Sequence, residues 1–115
     1  MRFLMMTTDD GSAQQAPDET MMAEMGAFIE EMTKSGVLLA TGGLEPGGTR
    51  ISATGGKVTV TDGPFTEAKE AVVGFALIDV RSREEAIELS KRFWKIVGDG
   101  QGVIQQVFGP EDIPG

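Results

Sequence analysis

The 115-residue chain contains no cysteine, no histidine and no tyrosine, and it has a single tryptophan. Without cysteine there is no disulfide, thiol nucleophile or thiolate metal site. Without histidine there is no imidazole base or metal ligand, and no Ser-His or Cys-His pair. The lack of tyrosine removes phenolic acid catalysis, so only carboxylates, Lys, Arg and hydroxyls remain for chemistry. Basic residues are also scarce: 10 Lys and Arg stand against 18 Asp and Glu, for a net charge of −8. An acidic chain with no basic stripe repels phosphate backbones, so direct nucleic-acid binding is not expected. No apolar run approaches the ~20 residues of a membrane span, and the opening MRFLMMTTDD turns acidic too soon for a secretory segment. A soluble, cytoplasmic protein is the expectation. Neighbouring acids at Asp9-Asp10, Glu30-Glu31, Glu84-Glu85 and Glu111-Asp112 lack the alternating spacing of a calcium loop. Gly43 to Gly48-Thr49 lacks the lysine of a phosphate-binding loop, so neither metal nor cofactor is expected.

What is present is a series of changes in hydrophobic period. Residues 2–8 are apolar on both faces, with Phe3 and Met5 against Leu4 and Met6, as in a strand covered on both sides. Asp18 stands where an N-cap would, ahead of Met21, Met22, Met25, Phe28, Ile29 and Met32 at helical intervals, and Lys34 and Gly36 give the stop signal. A strand is expected over residues 37–40, then a Gly-rich loop over 41–48. Two alternating runs, ISAT and KVTV, flank Gly55-Gly56 and form a hairpin. Residues 71–80 are again apolar on both faces. Ser82 and Glu85 make a capping box for a helix whose inner stripe is Ala86, Leu89, Ser90, Phe93 and Val97, with Trp94 at its edge. A last strand runs over 103–108, leaving a tail at 109–115 too poor in apolar residues to be ordered. One domain, 1–108, is implied by this length.

The order β-α-β, hairpin, β-α-β is that of an α+β, ferredoxin-like split βαβ unit with an inserted hairpin. Two helices cover one face of such a sheet, yet the central strands are apolar on both. A second copy of the sheet is the simplest cover, so a homodimer is expected.

The connector after the hairpin is Asp62-Gly63-Pro64-Phe65, followed by Thr66-Glu67-Ala68-Lys69-Glu70. Pro64 holds Gly63 extended and has no N–H to donate, so the nearest forward amide for the Asp62 carboxylate is that of Phe65, whose ring plugs the end of the core. Gly63, Pro64 and Phe65 are thus structural turn residues. Asp62 is either a backbone cap or a general base. The run DGPFTEAKE, with GKVTVT before it and VVGFALIDVRSREEAIE after it, resembles the DGPF branch of the YCII-related proteins. This resemblance implies the ferredoxin-like fold paired into a dimeric α+β barrel, and by context an association with extracytoplasmic-function sigma factors. Some YCII-related proteins use a His-Asp pair and one relative looks like a dehydrochlorinase. A chain without histidine departs from that pattern.

Arg50 opens the hairpin and Asp62 ends it, while Glu67 and Lys69 follow the turn. These four are expected at one rim of the dimer cleft, either as a salt-bridge network or as a site. In the second case an apolar pocket lined by Phe3 and Phe75 carries Asp62 or Glu67 as acid or base, with Arg50 or Lys69 fixing an anionic ligand. Two functions follow. One is a non-catalytic, homodimeric module that binds a small molecule or serves as an accessory to a protein partner. The alternative is a small lyase or isomerase acting on an aromatic or oxo-acid metabolite by carboxylate chemistry. Adaptable Met side chains on the first helix suit either a core or an apolar ligand pocket.

Overall fold

The computed structural model describes residues 1–9, 18–45, 48–62 and 71–112. Six strands and two helices follow in the order β1 (Arg2–Asp9), α1 (Glu19–Lys34), β2 (Leu38–Gly43), β3 (Thr49–Thr54), β4 (Lys57–Asp62), β5 (Ala71–Asp79), α2 (Arg83–Val97) and β6 (Gln101–Val107). The helices begin at the residues that the cap signals name. The Met21 amide donates to the Asp18 carboxylate at 2.7 Å and the Glu85 amide to the Ser82 hydroxyl at 3.1 Å.

Four strands form one antiparallel sheet in the order β2-β5-β1-β6. The two strands that read as apolar on both faces, β1 and β5, are its centre. This is an α+β architecture consistent with a ferredoxin-like fold. Alternation along β1 sorts the sheet into two surfaces. Phe3, Met5 and Thr7 point toward the helices, since Phe3 packs with Ile78, Val80 and Ala86 of α2 in the buried core. Leu4, Met6 and Thr8 point away, and the register sets Leu77 and Phe75 of β5 beside Leu4 and Met6. Val103 of β6 lies beside Met6 on this surface and is 47 % exposed. The helix-free surface is therefore apolar and only partly covered.

β3 and β4 form a separate two-stranded sheet. Gly55 and Gly56, with φ of 58° and 82°, supply the two positive angles that a tight hairpin turn requires. Pairing of Ile51 with Val60 and Ala53 with Val58 puts four apolar residues on one side, while Arg50, Ser52, Lys57, Thr59 and Thr61 occupy the other. All twelve strand residues are exposed. A radius of gyration of 16.6 Å exceeds the roughly 13–14 Å of a compact domain of this size, as a projecting hairpin requires.

Two expectations need correction. The second strand does not stop at residue 40: Thr41, Gly42 and Gly43 continue it, pairing with Ala76, Phe75 and Gly74 of β5. Glycine weakens a strand without forbidding one when the neighbour is a regular central strand. The start of the tail is ordered as well, as a 3₁₀ turn at Pro110–Asp112. Polar contacts hold it where apolar burial does not: Arg2 donates to Glu111 at 3.1 Å and the Gly109 amide to Asp112 at 2.9 Å.

Candidate functional site

Between the helix layer and the sheet lies a cavity of about 480 Å³. Its walls come from the inner stripes of α1 and α2, chiefly Met25, Phe28, Met32, Leu89, Phe93 and Trp94. Its floor follows from the strand register. Across the helix-facing side run three successive rows: Leu38, Ile78, Phe3 and Gln106; then Thr41, Ala76, Met5 and Ile104; then Gly43, Gly74, Thr7 and Gly102. All but Phe3, Gln106 and Gly43 are in the cavity lining, and side-chain volume falls from row to row. These glycines are close to their neighbours: a Cβ on Gly74 would lie 2.9 Å from the Thr7 hydroxyl oxygen, and one on Gly102 would collide with the Met6 carbonyl and lie 3.1 Å from the Trp94 ring.

A sealed dry void of 480 Å³ would cost on the order of 10 kcal/mol at ~24 cal/mol per Å³. That equals the entire stability of an ordinary domain. The space is an opening for solvent or ligand, and its volume falls within the ~300–1,000 Å³ typical of small-molecule pockets. Polar groups at the lining are few. Thr41 donates to the Phe75 carbonyl at 2.9 Å, and Thr7, Ser90 and Arg83 are the others. Arg83 opens α2 with its guanidinium 5.3 Å from the centre of the Phe3 ring.

The two helices are clamped on their outer side. Arg92 of α2 donates to Glu31 of α1 at 2.8 Å, and its guanidinium lies 4.9 Å from the Phe28 ring. The hydrogen bond from Arg92 holds the Glu31 carboxyl below the ordinary carboxylate range and raises Arg92 in turn. Among the described residues no group of three or more His, Cys, Asp or Glu is placed to hold a metal. None of the described helices is long and apolar enough to cross a membrane.

Of the residues singled out from the sequence, Phe3, Phe75, Arg50 and Asp62 are described, and neither pair shares a face. Phe3 is fully buried in the core, on the helix-facing side. Phe75 borders the cavity through its strand, but it pairs with Met6 and its ring lies against Gly42 on the helix-free surface. Opposite parity on adjacent strands keeps the two rings on different faces. Arg50 and Asp62 also fall on opposite sides of the hairpin, because Thr49 pairs with Asp62 and Arg50 with Thr61. The exposed Asp62 carboxylate accepts a hydrogen bond from the Thr49 hydroxyl at 3.2 Å. Glu67, Lys69 and the turn residues Gly63, Pro64 and Phe65 lie outside the described residues, and so does the proposed cap on the Phe65 amide. The sequence reading missed the glycine floor and the placement of Arg83. The available signals were Gly74 within the apolar run AVVGFALID, Gly102 at the start of β6 and Trp94 at the margin of its helical stripe.

A four-stranded antiparallel sheet with two helices on one face defines a small α+β domain consistent with the ferredoxin-like class. Residues 1–95 match the YCII-related domain, and the chain belongs to that family. It is also 36 % identical over 78 residues to an uncharacterised protein of Rhizobium meliloti (strain 1021), an alignment spanning 64 % of this chain and 61 % of the relative.

Proposed function

We propose that this protein is a homodimeric small-molecule-binding module of the DGPF branch of the family, holding its ligand in the helix–sheet pocket. The observation that carries the proposal is the pocket itself: about 480 Å³, walled by flexible Met and flat aromatic side chains over a glycine-rich floor. Methionines adapt to a ligand's outline, and glycines in the floor let Thr7 and Trp94 lie close against the sheet.

Dimer formation is supported by two further surfaces. One is the helix-free face, with Leu4, Met6, Phe75 and Leu77 at its centre. The other is the apolar side of the hairpin, where Ile51, Val58 and Val60 are 68 %, 63 % and 63 % exposed. An isolated two-stranded hairpin is marginal in water. A four-stranded face of ~20 Å by ~25 Å offers roughly 500 Å² per copy from strand spacing and rise. Adding the hairpin brings the total for two copies to about 1,400 Å², near the standard size of a stable interface. The pairing expected is the dimeric α+β barrel, with the hairpin of each copy laid along the other. Nothing in the placement of Asp62, exposed on the projecting hairpin, favours carboxylate catalysis.

Two measurements test this. Light scattering during size exclusion is expected to return a dimer at micromolar concentration, and a 12.2 kDa species would refute the assembly. Displacement of a pocket-filling dye such as anilinonaphthalene sulfonate, followed by native mass spectrometry of the purified protein, tests the pocket. An Ala76→Phe variant that folds, yet binds the dye as well as the parent does, would remove the pocket as the site.

A further inference from the structure

We infer that the ligand of the helix–sheet pocket is an amphiphilic monocarboxylate, a medium-chain or aryl-alkyl acid whose carboxylate pairs with Arg83 and whose apolar body runs along α2 toward Trp94. The inference rests on the small-molecule-binding reading above and adds the chemistry of the occupant. Three observations carry it. Arg83 is the one cationic residue among the described residues that border the cavity, in a chain of net charge −8. Its guanidinium lies over the Phe3 ring at 5.3 Å, and among the described residues it makes no ion pair, whereas Arg2 and Arg92 are each paired with a carboxylate. A guanidinium held on an aromatic face keeps its fork of N–H donors for a planar anion.

The second observation is shape. Arg83 and Trp94 are eleven residues apart on one helix, a separation of ~16 Å at 1.5 Å per residue. The lining between them is apolar, from Ile78 and Leu89 to Met25 and Phe93, with the hydroxyls of Thr7, Thr41 and Ser90 interspersed. An elongated space with a cation at one end and an apolar remainder fits a molecule with one charged head. A polyanion would leave charges unpaired against that lining, whereas a single carboxylate is matched by one guanidinium.

The third observation is that Trp94 sits against the floor of the pocket, its ring 3.1 Å from where a Cβ on Gly102 would stand, with both residues in the lining. An apolar body running along α2 therefore comes within reach of Trp94, which is the sole tryptophan of the chain and an intrinsic reporter of occupancy.

The experiment titrates the protein with decanoate and with decan-1-ol at pH 7.5, below micellar concentrations. Trp94 fluorescence and calorimetry are the readouts, on the parent, on Arg83→Gln and on Arg83→Lys. Decanoate is expected to bind with one site per chain and a change in Trp94 emission, at least fivefold more tightly than decanol. Arg83→Gln should remove that preference, bringing the two affinities within twofold of each other, and Arg83→Lys should retain part of it. Equal affinity for acid and alcohol in the parent, or a decanoate affinity indifferent to Arg83→Gln, would overturn the carboxylate assignment and leave the pocket standing. Failure of both probes to bind any of these proteins would overturn the pocket reading itself. Melting curves of each variant separate loss of binding from loss of fold.

Discussion

Replacing Ile51 and Val60 together by threonine tests whether the hairpin is an arm between two copies. Threonine keeps the strand propensity of both positions and replaces an apolar branch of each side chain by a hydroxyl that is costly to bury. In a lone chain the change touches nothing, because both side chains project from a hairpin with solvent on each side, and stability should move by no more than ~0.5 kcal/mol. In the dimer the same atoms are buried. Ile51 and Val60 are 68 % and 63 % exposed, so covering what they show is worth about 1 kcal/mol each, from ~1.5–3 kcal/mol for a fully buried aliphatic side chain. A symmetric dimer carries both residues on both copies, so association weakens by about 4 kcal/mol, close to a thousandfold in the dissociation constant. Sedimentation equilibrium over nanomolar to hundred-micromolar protein reads that constant directly, and far-ultraviolet circular dichroism checks that the fold persists. A dissociation constant unchanged within threefold would show that the hairpin is not in the interface. A parent that is monomeric throughout would show that there is no interface.

Phe3→Ala should cost about 3–5 kcal/mol in urea denaturation, because Phe3 is fully buried between β5 and α2 and its loss leaves a cavity in the tightest part of the core. A cost below ~1 kcal/mol would contradict that packing. Asp62→Ala should destabilise by about 0.5–1 kcal/mol through loss of the hydrogen bond from Thr49, and Asp62→Asn, which still accepts, should recover most of it. Full stability of Asp62→Ala would show that the bond contributes nothing. The Glu31 carboxyl has a lowered pKa in the folded protein, so its stabilising contribution is present at neutral pH and is lost as pH falls through that folded value. Arg92→Gln should therefore lower the melting temperature slightly at pH 7, and that loss should fade as the pH is lowered through the folded-state value; an equal loss at every pH would assign the effect to the stacking on Phe28 instead.

Elements governed by local chemistry were legible in the chain. Asp18 and Ser82 accept from the third amide onward because a helix leaves those donors unpaired whatever surrounds it. Gly55-Gly56 forces the hairpin for a similarly local reason. The central position of β1 and β5 was legible too, since strands with apolar groups on both faces must be covered on both sides. The failures were matters of pairing. Thr41, Gly42 and Gly43 look like a loop when read alone and become strand only because β5 offers its edge. Phe3 and Phe75 were placed in one pocket because both are aromatic and near their strand centres. Which face each occupies depends on a register that pairs Phe3 with Ile78 and Phe75 with Met6, and a single sequence does not state that register.

The pocket illustrates the same limit from the other side. Gly43, Gly74 and Gly102 are separated by about thirty residues each and carry no shared motif. Their common property, a missing side chain on one row of one face, exists only after three strands have aligned. Sequence patterns report where apolar side chains are, and a binding cavity is defined by where they are not. Arg83 was equally silent, because a first-turn arginine beside Glu84 and Glu85 reads as ordinary helix surface. Its place over Phe3 arises from the short return from β5 into α2. Any change that alters that return while leaving the inner stripe of α2 intact should therefore move Arg83 off the Phe3 ring before it disturbs the fold.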